Sequence, residues 1–181
     1  MNKIQVSARK GGVGTTTVAC SIAFTYSRLH PTLKIGLVDN SPYNDCLSVI
    51  GLNPQSPSIH GVTVIGKETE GYDVLIIDAG VTTELDPDAI IVNVVRNEYL
   101  SLKAETLTNL SSDYTVALIN AENALNAKDV SSIVKSKGQY NFPVSSQMSR
   151  AIDAGMFTHR FEQLGNEWAS ELVESLAFSL V

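Results

Sequence analysis

The sequence predicts an α/β fold: a mainly parallel, twisted sheet flanked by helices in three layers. Three observations carry this. Strand-like runs alternate with helix-like runs along all 181 residues, the pattern of consecutive βαβ units. A glycine-rich stretch, Lys10-Gly11-Gly12-Val13-Gly14, joins the first strand-like run to the first helix-like run. The run Val74-Leu75-Ile76-Ile77-Asp78-Ala79-Gly80 is continuously apolar up to its acid, as in a strand buried on both faces of a parallel sheet.

The elements follow in order. Ile4-Gln5-Val6-Ser7 alternates as a strand does. A helix is predicted from about Thr16 to Arg28. It ends before His30-Pro31, because proline disfavours helix in the residue ahead of it. Lys34–Asp39 reads as a buried strand, Asn40–Asn44 as a turn and Asp45–Ile50 as a short helix stopped by Gly51 and Pro54. The stretch 53–71 is turn-rich, with one short strand at Gly61–Gly66. Strands are predicted over Tyr72–Gly80, Ala89–Val95 and Tyr114–Asn120. Helices are predicted over Leu100–Leu110, with Ser101 as candidate cap, and over Ala127–Ser136. Phe142-Pro143-Val144 reads as a short edge strand, where proline is tolerated. Ser146–Ala154 is a short helix ended by Gly155. Phe161, Leu164, Trp168, Leu172, Val173, Leu176 and Leu180 mark an amphipathic last helix. With no repeat, linker or low-complexity stretch, residues 1–181 are expected to form one domain.

Composition narrows the function. The chain is 44% hydrophobic and 18% charged, enough for one full core. No apolar run is as long as a membrane span, and no leader segment precedes the glycine-rich loop, so the expected location is cytoplasmic. Cys20 and Cys46 make no disulfide framework and have no metal-ligand spacing, and both read as core residues. The net charge of −6 opposes nucleic-acid binding by the whole surface. The charge is uneven, however. Lys128, Lys135, Lys137, Arg150 and Arg160 make one basic stretch, which could be a DNA face or simply a solvated one. Glu162, Glu167, Glu171 and Glu174 make the last helix acidic, the wrong sign for a membrane-surface helix.

The loop carries the chemistry. Glycines let backbone N–H groups approach an anion without a Cβ in the way. The helix that follows aims unpaired N–H groups and its positive dipole end at the same place. Gly11, Gly12, Val13, Gly14, Thr15, Thr16 and Thr17 are therefore candidate phosphate-binding residues, and the Thr16 hydroxyl is a candidate Mg²⁺ ligand. A glycine turn without a ligand is the alternative. Asp39 and Asp78 end two parallel strands, where acids face the ligand crevice of such a sheet.

Lys10, Gly11, Gly12, Gly14 and Thr16 resemble the deviant Walker A motif of the ParA/MinD family of P-loop ATPases, Lys-Gly-Gly-x-x-Lys-Thr; Thr15 departs from it. Three further stretches resemble that family in the expected order. In Asp39-Asn40-Ser41-Pro42-Tyr43-Asn44, Asp39 matches the acid that supports Mg²⁺. Ser41 stands where the family's second acid orients the attacking water, and Tyr43 where glutamine is common. Asp78-Ala79-Gly80 is similar to the Walker B stretch. Asp78 would hold a magnesium water, and the Gly80 N–H could sense the γ-phosphate. Asn120 stands where the family reads the adenine edge, and Pro143 and Val144 would flank that base. The resemblance covers nearly the whole chain, although the middle between Asp39 and Asp78 is short for the family.

The resemblance implies a P-loop NTPase fold, ATP and Mg²⁺ as ligands, a homodimer across the loop face and Lys10 reaching the partner's phosphates. The departures imply weak chemistry. Thr15 removes a positive charge at the phosphates, which costs about ten- to a hundredfold in affinity. Ser41 cannot act as a carboxylate. The expected function is a small ParA-like partition or positioning protein with weak or absent ATP hydrolysis. A centromere-binding (ParB-like) protein and non-specific DNA are its expected partners, with no membrane. A localisation scaffold of the CpaE/TadZ kind, binding a protein in place of DNA, is the alternative. A dethiobiotin-synthetase-like enzyme ranks last, because it needs the loop lysine.

Overall fold

Eight strands form a single sheet in the order β3-β4-β2-β5-β1-β6-β7-β8, in a computed structural model that describes residues 2–144, 146–158 and 167–179. The strands are β1 Asn2–Ala8, β2 Ile35–Asp39, β3 Ser58–Ile59, β4 Val62–Ile65, β5 Val74–Val81, β6 Ile90–Arg96, β7 Ser112–Ile119 and β8 Ser136–Pro143. The helices are α1 Thr15–Leu29, α2 Asp45–Ile50, α3 Tyr99–Thr108, α4 Ala127–Ile133, α5 Ser146–Asp153 and α6 Glu167–Ser179. Only the β3–β4 pair is antiparallel. The carboxyl ends of β1, β2, β5, β6, β7 and β8 therefore share one edge.

The inner strands explain their sequence. β1 sits between β5 and β6, so both its hydrogen-bonding edges are paired. Ile4, Val6 and Ala8 join Val18, Ile22 and Ala23 of α1 and Leu172, Val173 and Leu176 of α6 in the main core. On the opposite face, Val95 and Ala117 pack with Leu102 of α3 and Val130 of α4. Helices thus cover both faces, as parallel strands require.

Four elements differ from the sequence expectation. β8 is an eight-residue strand. Its Ser-Lys-Gly-Gln-Tyr-Asn start is too polar to read as a strand, because it pairs only with β7 at the sheet edge. α4 stops at Ile133, where Val134 turns extended. β3 was hidden in the turn-rich stretch. Ser101 does not cap α3. Glu98 holds that position without a side-chain bond, and the buried Ser101 hydroxyl accepts a hydrogen bond from the Arg96 N–H. Of the predicted last helix, Leu172, Val173 and Leu176 are buried. Phe161, Leu164 and Leu180, and the Trp168 side chain, lie outside the described residues.

Candidate nucleotide and cation site

The glycine-rich loop leaves β1 at the centre of the carboxyl edge. Gly12 and Gly14 have φ of +75° and +105°, the left-handed region that favours glycine. A Cβ on Gly14 would also lie 2.7 Å from Leu118 Cδ1, whereas Gly12 opens on unfilled space. Gly14 precedes α1 and offers it no side-chain cap. The first N–H groups of α1, at Thr15, Thr16 and Thr17, therefore remain for an anion.

Neighbouring side chains brace the loop. Buried Arg9 donates to Thr82 O at 2.7 Å and lies 3.4 Å from Ser7 Oγ. Burial lowers its pKa, and Glu105 of α3 opposes that shift. Lys10 Nζ lies 3.2 Å from its neighbour's carbonyl, Gly11 O. Arg96, at the end of β6, donates from Nε to Val13 O at 3.3 Å. Sequence reasoning missed Arg96. The available signal was a cation ending a strand, placed to reach the crevice if that strand lies beside β1.

Asp39 and Asp78 are side by side in register on β2 and β5, and both are buried. The Asp39 carboxylate accepts from Cys46 N at 2.8 Å and Ser41 N at 3.0 Å. Asp78 accepts from Gly80 N at 3.3 Å. Burial raises the Asp78 pKa, and nearby Asp39 adds to the rise, against the Thr16 hydroxyl and the hydrogen bond from Gly80. Among the described residues, no basic side chain pairs with either acid. Cys46 Sγ lies 3.7 Å from Asp78 Oδ2. Contact with Cys20 of α1, then burial, pushes the Cys46 thiol pKa up. Both cysteines are buried in the main core, as expected, and Cys46 also borders the two acids.

No family model and no curated protein matches this chain. Solved structures do match it. MinD from Pyrococcus horikoshii, complexed with Mg-ADP, superimposes with a TM-score of 0.72 at 12% identity over 99% of this chain and 95% of that one. A ParA family ATPase from Chlorobium tepidum gives 0.64 at 12% identity, covering 97% of each chain. A plasmid partition protein from Borrelia burgdorferi bound to AMPPNP gives 0.58 at 13% identity, covering 99% of each. The chain has the ParA/MinD-type P-loop ATPase fold.

Within this ParA/MinD-type fold, the remaining expected site residues occupy two regions of the carboxyl edge. Ser41 donates to Asp45 Oδ2 at 2.6 Å, so a carboxylate from the first residue of α2 stands beside the position where the sequence lacks one. Asn120, Pro143 and Val144 come together at the ends of β7 and β8, where Ile119 pairs with Pro143 and Val144 N donates to Ile119 O. The buried Asn97, which sequence reasoning also missed, holds the Asn120 backbone. Its Nδ2 donates to Asn120 O at 2.8 Å and its Oδ1 accepts from Asn120 N at 2.9 Å.

The fold splits the basic stretch. Lys137, at the amino end of β8, pairs with Asp113, and Lys135 Nζ donates to Asn109 Oδ1. Both lie at the sheet edge opposite the glycine-rich loop. Lys128 is in the first turn of α4, which follows the carboxyl end of β7, and Arg150 is on α5. Arg160 lies outside the described residues. The four described cations therefore lie towards opposite ends of the strands, Lys135 and Lys137 at one and Lys128 and Arg150 at the other. No described helix is long and apolar enough to cross a membrane.

Proposed function

We propose that this chain is a nucleotide-gated positioning protein of the partition type. It binds ATP with Mg²⁺ weakly, closes as a homodimer across the carboxyl edge, and hydrolyses slowly or not at all. One observation carries this reading: an open glycine cradle on a helix N-terminus lies beside two buried acids that have no basic partner among the described residues. A triphosphate and its cation would satisfy both halves of that site.

The backbone from Gly11 to Thr17 would hold the phosphates. Thr16, Asp39 and Asp78 would hold the ion directly or through its waters, and Asn120, Pro143 and Val144 would border the base. Bound Mg²⁺ neutralises phosphate charge. Thr15 supplies no cation to the phosphates, and Ser41 no carboxylate to orient water, so positioning survives better than turnover. Exposed Tyr43, Val81, Tyr99 and Leu100 lie at or just past the carboxyl ends of β2, β5 and β6. This apolar rim supports closure against a second chain, with Lys10 directed to the partner's phosphates. The fold shared with the plasmid partition protein bound to AMPPNP supports a partition role; a cytoplasmic location, a centromere-binding partner and non-specific DNA belong to this proposal.

The split of Lys128, Lys135, Lys137 and Arg150 between two regions favours a second reading, a scaffold that binds a protein in place of DNA. Calorimetry with ATP–Mg²⁺ on this protein and on Thr15→Lys, with light scattering for mass, tests both. Binding with a doubling of mass is expected, tighter in Thr15→Lys. Binding by Thr15→Lys alone favours the scaffold, and binding by neither refutes the cradle.

A further inference from the structure

We propose that Asp39, Cys46 and Asp78 form a mixed sulfur–oxygen site that prefers a thiophilic divalent cation, of the Zn²⁺ or Co²⁺ class, over Mg²⁺. One donor atom from each of the three residues lies within 4.8 Å of the other two, and all three residues are buried. Donors on one tetrahedral zinc ion stand roughly 3.5 Å apart, given Zn–O near 2.1 Å and Zn–S near 2.3 Å. The 3.7 Å between Cys46 Sγ and Asp78 Oδ2 is already close to that.

Three separate elements set this geometry. Asp39 ends β2 and Asp78 lies in β5, locked in register. Cys46 is carried by α2, and its own N–H is tied to Asp39 Oδ2. That bond holds the Cys46 backbone beside Asp39. Cys20 of α1 is buried in the same core as Cys46 and lies outside this donor set.

Donor chemistry decides the class. Two buried carboxylates without a basic partner among the described residues call for a cation. Mg²⁺ is a hard ion that takes oxygen ligands and keeps several waters. A thiolate selects softer ions, Zn²⁺ or Co²⁺ among them. Binding would release the Cys46 proton to solvent and form a metal–sulfur bond, with no change in oxidation state. The inference rests on Asp39 and Asp78 as cation ligands, and it requires no nucleotide.

The test is a Co²⁺ titration of the reduced, nucleotide-free protein, followed by ultraviolet absorption and competed with Mg²⁺ and Zn²⁺. A thiolate-to-Co²⁺ charge-transfer band is expected, abolished by Zn²⁺ and little affected by Mg²⁺ in large excess. Cys46→Ser, nearly isosteric and checked by circular dichroism, is expected to lose the band and bind Zn²⁺ about tenfold more weakly or worse, with Mg²⁺ affinity unchanged. Cys20→Ser is expected to keep the band. Co²⁺ binding without the band, or displaced readily by Mg²⁺, overturns the sulfur ligand and leaves the Asp39–Asp78 cation site standing. A band that survives Asp78→Asn undiminished overturns the mixed donor set. No binding of Co²⁺, Zn²⁺ or Mg²⁺, with or without ADP, overturns both this inference and the cation reading of the acids.

Discussion

Arg96 Nε sits 3.3 Å from the Val13 carbonyl, tying the end of β6 to the middle of the glycine-rich loop. The same guanidinium contacts Glu98. It is the cation that holds the loop from the β6 side, in a chain whose own loop position is Thr15. Arg96→Ala is expected to weaken ATP–Mg²⁺ binding about tenfold, the loss of one charge-assisted bond. Arg96→Lys should recover part of that affinity, because it keeps the charge and loses the planar fork. Calorimetry on the three proteins checks this.

Asn97 uses both ends of its amide on the chain that follows β7. Besides the Asn120 backbone it donates to Leu125 O at 2.7 Å and accepts from Asn123 Nδ2 at 3.2 Å. Asn97→Leu leaves those half-buried groups without their Asn97 partner. A stability loss of about 1–3 kcal/mol is expected, read by urea denaturation. ATP affinity should fall with it, while Mg²⁺ binding without nucleotide stays unchanged.

Gly51 and Gly155 meet where the end of α2 packs on the end of α5. Gly51 has φ of +80°, and a Cβ there would collide with Gly155 O. Gly51→Ala is therefore expected to cost on the order of 1–3 kcal/mol from conformation alone, and more from the clash. Thermal unfolding of Gly51→Ala beside the exposed control Gly66→Ala checks it. No Cβ contact arises at Gly66.

Glu105 is buried, and burial raises its pKa above 4.5 against the hydrogen bond from Asn93 and the charge of Arg9. A carboxyl that holds its proton more tightly in the folded chain contributes most stability below its unfolded pKa. That contribution is lost as pH rises through the folded value. Glu105→Gln removes this titration. The stability of the wild-type chain relative to Glu105→Gln is thus expected to fall as pH rises above 4.5, measured by urea midpoints across that range.

The sequence by itself determined the sheet and the loop. Apolar strands such as Val74–Ile77 and the glycines at 11, 12 and 14 are legible because buried parallel strands and tight turns dictate residue type locally. The candidate acids Asp39 and Asp78 were legible because strand ends in such folds face the crevice. Tertiary structure decided the rest. β8 is stabilised by main-chain pairing to β7, and no apolar period records that. Arg96, Asn97 and Asp45 acquire their places only from which strand lies beside which. The basic stretch, contiguous in sequence, is divided because β8 runs from one edge of the sheet to the other. Cys46 lies 32 residues from Asp78 in the chain, yet 3.7 Å from its carboxylate. Linear spacing cannot encode such a contact, because it depends on two strands pairing in register and on the helix that follows one of them.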